Sequence, residues 1–414
     1  MTAPNASDRE FDIVVYGATG FVGVLIAEYL ATHAPAEVKV ALAGRSADKL
    51  AKVRDGIPGA ARWPLITADS SDLQSLSDLA SRTKVVLTTV GPYLLYGLPL
   101  VEACATHGTH YVDLTGEVLF MRHSIDRFDG LAQDTGARII HSCGFDSIPS
   151  DLGVLALHEA SLRDSDGSLG DTRFAVVSLH GGVSGGTVAS MFAGMEAMDG
   201  DPVAKAITND PYALSPDRSA EPTPGDGPES VVASFDTELK SWVSPFIMAM
   251  VNTRVVRRSN ALLDYAYSKD FRYRELMAHG AGPQGLAMAL AVAGGTAVGT
   301  TGAGFGPTRS IAKRLMPKPG SGPDEKTRTN GRFAIRLASR CADGRHYRGL
   351  VAAHGDPGYA ATSMMISQCA LALVLDGDRL PQRAGVLTPA TGLGSAGIDR
   401  LVNAGMSITA HRQH

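Results

Sequence analysis

Residues 11–23 read FDIVVYGATGFVG, an apolar run that leads into three glycines spaced three residues apart. The run is typical of a buried strand, and residues 21–32 have the pattern of a helix. In such a strand–turn–helix, Gly17 allows the tight turn, Gly20 lets the backbone approach a pyrophosphate, and Gly23 lets the helix pack closely. Free N–H groups at the start of the helix attract the same anion. The stretch therefore predicts a dinucleotide-binding turn.

The rest of the first third supports this interpretation, because strand and helix patterns alternate there. Further strand patterns fall at 38–43, 63–67, 84–90, 110–113 and 138–142, and helical patterns fall at 46–54, 71–81 and 98–106. Strands that alternate with helices over short loops pair in parallel. We therefore predict an α/β fold in which residues 1–148 form a doubly wound parallel Rossmann sheet. In that context a cofactor site is favoured over a plain strand–helix turn.

The end of the second predicted strand indicates which dinucleotide is bound. Many NAD-binding proteins place a carboxylate there to hold a ribose hydroxyl. This sequence has Gly44-Arg45-Ser46 instead, and a guanidinium suits a 2′-phosphate because it stays charged and binds two oxygens at once. NADP is therefore favoured over NAD; the alternative is that Arg45 is only a solvated charge. Ser46 is the predicted N-cap of the next helix.

Small or polar residues also follow the third and fourth predicted strands. Asp69 either contacts the adenine or supports a helix N-terminus. Gly91 and Pro92 allow the nicotinamide ribose to approach the backbone. The predicted cofactor-binding residues are therefore Gly17, Thr19, Gly20, Phe21, Val22, Gly23, Arg45, Ser46, Asp69, Gly91 and Pro92.

Two side chains are candidates for catalytic proton transfer. Tyr93 follows the Gly91 turn and Asp146 follows the sixth strand, so both lie at the carboxyl edge of the sheet, where ligands bind. Each has a structural alternative, since Tyr93 could pack in the core and Asp146 could cap the helix near Pro149. Asp113, after the fifth strand, is a further polar residue at this edge that could orient a substrate.

After Pro149 the pattern changes. The predicted elements are a strand at 171–180, a helix at 187–198, and a hairpin of strands 331–340 and 346–353 around Ala342-Asp343-Gly344. Antiparallel strands of this kind predict a second, α+β domain over residues 149–357, which would bind the substrate. Residues 199–229 are rich in Pro, Asp and Gly and predict an exposed loop within it.

Two stretches of the second domain carry open alternatives. Arg254, Arg257 and Arg258 form a basic cluster that either meets a phosphate of coenzyme A or an acyl carrier, or is solvated. Residues 276–308 contain no Asp, Glu, Lys or Arg. They are mostly Ala, Gly and Thr, whose membrane-insertion energy is small, so a buried helix or a lipid-touching surface is favoured over a membrane span. The cations that would hold this stretch near anionic lipid are Lys313, Arg314 and Lys318.

Composition excludes several classes of protein. Of 414 residues, 44% are hydrophobic and 19% charged, which is enough apolar material for a packed core. A net charge of −4 and an aromatic content of 6% give no argument for a nucleic-acid partner. No His, Cys, Asp or Glu spacing is typical of a metal site, and the four cysteines lack a C-x-x-C pair. The N-terminus has no secretory pattern, so we expect a cytoplasmic protein.

Several motifs together resemble the saccharopine dehydrogenase-like oxidoreductases, and within them the mycobacterial trans-acting enoyl reductases. The motifs are GATGFVG (17–23), AGRS (43–46), TTVGPY (88–93), YVDLTGE (111–117), CGFDSIPSDLG (143–153), PFIMAMVNTRVVRRSNALLDYAY (245–267), KPGSGP (318–323) and GVLTPA (385–390). The resemblance implies a Rossmann domain, a substrate domain, and a C-terminal segment, residues 358–414, that returns to the first domain. It also implies reduction, in trans, of an enoyl intermediate of polyketide-derived, phthiocerol-type lipids.

Three functions follow from these observations. The first is NADPH-dependent enoyl reduction of an acyl-chain or polyketide lipid substrate, free or carrier-bound. The second is a saccharopine-type amino-acid dehydrogenase, which would need cationic groups for several carboxylates. The third is a non-catalytic, NADP-binding protein associated with lipid. We expect the first; peripheral membrane contact and a homodimer stay open alternatives.

Overall fold

The computed structural model describes residues 9–181, 185–222, 232–303 and 322–413. The strands in these ranges are β1 (Phe11–Tyr16), β2 (Val40–Gly44), β3 (Leu65–Thr67), β4 (Thr83–Thr88), β5 (His110–Val112), β6 (Arg138–Ile140), β7 (Asp171–His180), β8 (Ser234–Asp236), β9 (Ser241–Pro245), β10 (Arg272–Ala278), β11 (Arg332–Arg340), β12 (His346–His354), β13 (Gly385–Leu387) and β14 (Ser407–Gln413). The helices are α1 (Phe21–His33), α2 (Ala47–Gly56), α3 (Leu73–Ser81), α4 (Tyr93–Tyr96), α5 (Leu98–His107), α6 (Val118–Thr135), α7 (Ile148–Leu162), α8 (Gly185–Met198), α9 (Pro202–Asn209), α10 (Ala249–Leu262), α11 (Pro283–Ala303), α12 (Glu325–Asn330), α13 (Thr362–Leu375) and α14 (Pro389–Asn403).

The first sheet confirms the predicted doubly wound α/β fold. Its seven strands are all parallel, in the order β3-β2-β1-β4-β5-β6-β13. Every residue of β1 and β2 is buried, as expected for strands covered by helices on both faces. After β1 the chain forms β2 and β3 on one side of that strand, and it then crosses to form β4, β5 and β6 on the other side. The carboxyl ends of β1 and β4 therefore form the crevice in which such folds bind ligands.

The end of the chain contributes to both sheets. β13 pairs with β6 as the seventh strand of the first sheet, and α13 packs beside α1. β14 pairs with β12 in the second sheet. The sequence patterns did not predict α6, β13 or β14.

The second sheet confirms the predicted α+β domain. Its order is β14-β12-β11-β7-β10-β9-β8, and each neighbouring pair is antiparallel except β7 with β10. The predicted hairpin is formed by β11 and β12, and Gly344 takes the left-handed turn position with a φ of 84°. One face of the sheet packs on α7 and α10. Gly153 of α7 lets Leu337 and Val351 approach the helix closely.

The predicted exposed loop over 199–229 is exposed over much of its described part, residues 199–222, but it is neither a loop nor exposed throughout. This part contains α9, a 3-10 turn at Arg218–Ala220, and the buried residues Tyr212 and Leu214. Residues 223–229 lie outside the described ranges. The sequence signal was misleading because this segment is fixed through its backbone carbonyls rather than through a periodic apolar face.

The donors to those carbonyls are the arginines of the predicted basic cluster. Their contacts correct the expectation that this cluster binds a phosphate or is solvated. Arg254 donates to the carbonyls of Thr208 and Asp210, Arg257 to that of Pro211, and Arg258 to those of Leu214 and Val386. All three arginines are buried. The cluster is therefore neither a solvated face nor a phosphate site, because its donors hold protein carbonyls.

The charge-free stretch is only partly buried. In α11, Ala289 and Ala293 are buried against the second sheet, whereas Met288, Leu290 and Val298 are 55%, 56% and 75% exposed. Lys313, Arg314 and Lys318 lie outside the described residues. Within the described ranges, one helical segment, Pro357–Leu375, is long and apolar enough to cross a membrane, and 78% of it is buried inside the protein. Such burial is typical of a core helix.

We predict that Arg258→Ala destabilises the protein by about 2–5 kcal/mol, because it leaves the Leu214 and Val386 carbonyls without their buried donor. Thermal and urea unfolding measure the change. Arg82→Ala is the matched control: Arg82 is half exposed and pairs with Glu10 at 2.7 Å, so its loss should cost less than about 1 kcal/mol. Equal effects of the two substitutions would contradict the assigned role of Arg258.

Candidate active site

The glycine turn has the geometry that its sequence predicts. Gly17 has a φ of 89°, and a β-carbon there would lie 2.8 Å from both Thr89 Oγ1 and Val90 Cγ2. A β-carbon on Gly23 would lie 2.3 Å from the Gly17 carbonyl oxygen. Gly20 is the N-cap of α1 and has no side chain to accept from the first N–H groups of the helix. Those groups are therefore available to an anion at the crevice.

Residues from the second half of the chain cover this turn. The ring of Phe21, the first residue of α1, lies edge-on to Tyr359 with 5.2 Å between ring centroids. The Arg328 guanidinium carbon lies 5.3 Å from the Phe21 ring centroid. This cation adds positive charge next to the helix N-terminus. The sequence alone could not indicate Arg328, since its place depends on how the second domain folds back.

The carboxyl ends of β2 and β3 bring Arg45 and Asp69 close to each other. Arg45 is exposed directly after β2, and the Ser46 hydroxyl accepts from the Lys49 N–H at 3.4 Å, which confirms the predicted N-cap. Asp69 Oδ1 accepts from the Ser71 N–H and hydroxyl at 2.9 and 2.7 Å. These bonds, together with the charge of Arg45, lower the pKa of Asp69. Asp69 is thus an ionised residue beside a cation at the edge of the crevice.

The Gly91-Pro92 turn at the end of β4 is held by a residue that the sequence did not single out. The Gly91–Pro92 peptide bond is cis, and Gly91 is exposed. The buried carboxylate of Glu117 accepts from the N–H groups of Tyr93 and Leu94 at 2.8 and 2.7 Å. It thereby satisfies the N-terminus of α4. Burial raises the pKa of Glu117.

The structure places Tyr93 in the core rather than in the crevice. Its hydroxyl donates to the Thr88 carbonyl at 3.3 Å and accepts from the Leu114 N–H at 3.2 Å. Burial and the nearby Asp113 carboxylate raise its pKa well above the ordinary value of 10. The hydroxyl is engaged on both sides, which supports the packing alternative for Tyr93.

Asp146 differs from Tyr93 because the residue is partly exposed and its carboxyl has no side-chain hydrogen-bond partner in the described ranges. Burial raises the pKa of Asp146 to about 7, and the charge of Asp113 adds to the rise. Ser147, not Asp146, is the N-cap of α7, so the capping alternative is wrong. At neutral pH Asp146 is divided between its acid and ionised forms, which suits a group that transfers protons.

An apolar wall stands next to Asp146. Phe145 lies edge-on to Phe333, with 4.9 Å between the ring centroids. Leu179 is paired with Phe333 across the sheet and is 39% exposed, although it faces the same side as the buried core. The wall thus joins the first domain to the second sheet.

Asp113 is a structural residue and not a crevice residue. It is fully buried, and its two carboxylate oxygens accept from the Ser142 N–H, the Thr115 N–H, the Tyr111 hydroxyl and His141 Nδ1 at 2.7–3.1 Å. His141 Nε2 is bonded in turn to the Ser124 hydroxyl at 2.9 Å. This network orders the loops after β5 and β6, and so positions the backbone that carries Asp146.

Comparison with known proteins identifies the family. The sequence model of the saccharopine dehydrogenase NADP-binding domain matches residues 13–140. A protein of Mycobacterium tuberculosis, provisionally named a trans-acting enoyl reductase, is 49% identical over 98% of this chain and 99% of its own length. A second relative, from Mycobacterium bovis and named trans-acting enoyl reductase, is 47% identical over 97% of each chain. The chain belongs to the trans-acting enoyl reductase family.

The fold agrees with this membership. The apo saccharopine dehydrogenase (L-Glu forming) of Saccharomyces cerevisiae superposes with a TM-score of 0.54 at 12% identity, over 98% of this chain and all of that one. The family is one of NADP-dependent oxidoreductases that act on enoyl groups, so the predicted cofactor is confirmed as NADP. The glycine turn and the exposed Arg45 fit that cofactor, since they offer free N–H groups and a guanidinium to its phosphates.

For this enoyl reductase family member we predict that Gly23→Ala weakens NADPH binding by about tenfold or more, because the added carbon displaces the Gly17 carbonyl and the turn that presents the N–H groups. Calorimetry with NADPH measures the change. Gly56→Ala is the control, since a β-carbon at Gly56 meets nothing within 4 Å. Unaltered affinity in the folded Gly23→Ala protein would contradict the assigned turn.

We predict that Arg45→Ser weakens binding of NADPH by about 10- to 100-fold and leaves binding of NADH unchanged, because only the phosphorylated cofactor gains a charge-assisted contact. Titration of both cofactors by intrinsic fluorescence checks this. Arg54→Ser, farther along α2 and paired with Asp55, should change neither affinity. An equal loss of affinity for both cofactors would show that Arg45 does not bind the 2′-phosphate.

Proposed function

We propose that this protein reduces the carbon–carbon double bond of an α,β-unsaturated thioester derived from a polyketide lipid. The proposal rests on the family and on one local arrangement: Asp146, a partly exposed residue whose carboxyl has a pKa of about 7, directly follows Phe145 of the apolar wall. The names of the relatives support the reaction type. The apolar wall supports an acyl chain rather than a polar substrate.

NADPH, when bound, supplies the hydride that adds to the β-carbon of the thioester. Negative charge then develops toward the thioester carbonyl, and a proton must reach the α-carbon to complete the reduction. Asp146 in its acid form is the proposed donor of that proton, because its pKa of about 7 leaves the acid form populated at neutral pH, whereas the Tyr93 hydroxyl is engaged by Thr88 and Leu114. Tyr93 acts in this proposal as a positioning residue, since its hydroxyl fixes the loops after β4 and β5.

The apolar wall is proposed to hold the acyl chain. Phe145 and Leu179 present partly exposed ring and aliphatic surface beside Phe333, which is itself buried. Burial of an alkyl chain on this surface contributes about 0.8 kcal/mol for each methylene. Residues 149–357 are the proposed substrate domain in this arrangement. The cytoplasm is the proposed location, because the proposed reaction consumes NADPH.

The two alternatives have less support. An amino-acid dehydrogenase needs free cations for its carboxylates, whereas Arg254, Arg257 and Arg258 are buried and hold backbone carbonyls. A non-catalytic NADP-binding protein would give no reason for the raised pKa of the Asp146 carboxyl, which has no side-chain partner among the residues that the structure describes. Turnover of an enoyl thioester would exclude both alternatives.

The direct test is stopped-flow oxidation of NADPH with enoyl thioesters of increasing chain length. We expect the value of kcat/KM to rise with chain length until the apolar wall is covered. Glutamate-linked amino acids should give no turnover in either direction. Absence of NADPH oxidation at every chain length would overturn the proposed function.

We predict that the rate of reduction falls as the pH rises through about 7, because the acid form of Asp146 is lost there. Asp146→Asn should lower kcat by about 10²–10⁴-fold and remove this fall, with NADPH affinity retained. Asp134→Asn, on the exposed end of α6, is the matched control and should keep the pH profile. An Asp146→Asn protein with the unaltered profile would assign the proton to another group.

A further inference from the structure

The second sheet has an open face that the proposed reaction does not use. We define the open face as the outward side chains of β7, β11, β12 and β14, on the side opposite α7. On β11, Phe333, Ile335 and Leu337 point to the buried side. The outward residues of this strand are therefore Arg332, Ala334, Arg336, Ala338 and Arg340, and its three arginines are exposed.

A fourth arginine lies among these three. The pairing of β11 with β12 sets Arg348 opposite Ala338. Arg348 is therefore a diagonal neighbour of both Arg336 and Arg340, at about 7–8 Å. Within the described residues, none of these four arginines has an ion pair or a side-chain hydrogen bond, which leaves their guanidinium groups unpaired.

Carboxylates of the four strands do not balance this charge, although Asp236 of β8 pairs with Arg173 at 2.8 Å and Glu238 lies 3.5 Å from His346 at one end of the face. Among the outward positions of the four strands, the one acidic residue is Asp171, and it is already paired with Arg173 at 2.9 Å and with Arg274 at 3.2 Å. Like charges that are close neighbours on a sheet repel. A chain with a net charge of −4 thus keeps a locally cationic face at some cost in stability. An external anion would offset that cost.

The centre of the open face is apolar and shallow. Ala334, Ala338 and Ala352 lie between the arginines, and Leu350 and Val177 beside them are 38% and 37% exposed. The combination is a strip of small apolar side chains bordered by guanidinium groups. It is complementary to a surface with a small apolar centre and carboxylates on its flanks.

We infer that the open face docks an acidic segment of another protein. Guanidinium forks bind carboxylates through two parallel hydrogen bonds, so the arginine spacing can select such a segment. A second copy of this face would bring arginine against arginine, which opposes self-association through it. The outward positions hold no Phe, Tyr or Trp on which bases could stack. The twist between neighbouring strands turns the four-stranded face by about 60–75°, so a flat membrane contacts only part of it.

The probe for this interaction is a synthetic helical peptide with an alanine stripe flanked by glutamates four residues apart. Calorimetry with the full-length protein should detect binding that weakens with added salt. Arg336→Glu with Arg348→Glu should weaken it at least tenfold. Arg62→Glu with Arg127→Glu makes the same change in net charge at exposed sites elsewhere and should alter affinity less than twofold. Unchanged NADPH affinity in both double variants shows that they are folded.

Several results would overturn the inference. Failure of the peptide to bind, or equal losses in the two double variants, would remove the specific role of the open face. The peptide could fail to bind while anionic vesicles or a DNA duplex bind. If the double variant Arg336→Glu with Arg348→Glu lost that binding, the face would be assigned to a different partner. A dimer in sedimentation that this double variant dissociates would show that a second copy covers the face. None of these results depends on enoyl turnover, so the proposed function is tested separately.

Discussion

The close approach of α1 to the end of β1 is the constraint on which the site depends. The Gly17 carbonyl and the Gly23 backbone leave no room for a β-carbon between them, and this contact fixes the direction in which α1 leaves the sheet. The N–H groups of the first turn consequently point at the crevice between β1 and β4. Gly91 and Asp146 follow other strands of the same sheet, β4 and β6, whose carboxyl ends lie at the same edge because the strands are parallel.

Buried polar bonds fix the second domain relative to this crevice. Asp151, near the start of α7, accepts from the Ser259 hydroxyl of α10 at 2.5 Å and from the Ala390 N–H of α14 at 2.7 Å. Burial raises the pKa of Asp151 to about 7. Arg258 similarly connects the segment at Leu214 with β13 through its two carbonyl acceptors. These contacts join parts of the chain that are distant in sequence.

The sequence predicted the parts of the structure whose cause is local. The glycine turn, the Ser46 cap and the hairpin at Gly344 each depend on backbone conformation or on a short-range bond, which one sequence reveals. The role of Tyr93 and the burial of the arginine cluster depend on partners that are distant in sequence. The sequence alone therefore could not predict them. A tyrosine that follows a strand bordering the crevice can be a catalytic acid or a core residue, and only its two hydrogen-bond partners decide between these roles. Glu117 and Arg328 gave no signal for the same reason.

The cover over Phe21 has a consequence for the order in which the protein is completed during synthesis. Arg328, Tyr359 and the seventh strand, β13, all leave the ribosome long after the glycine turn. An emerging N-terminal half lacks the residues that cover Phe21, and β6 is left as an edge strand until β13 pairs with it. The surroundings of the glycine turn are therefore complete only when nearly the whole polypeptide is available. A fragment ending before residue 328 would carry the recognition turn without the enclosure that surrounds it.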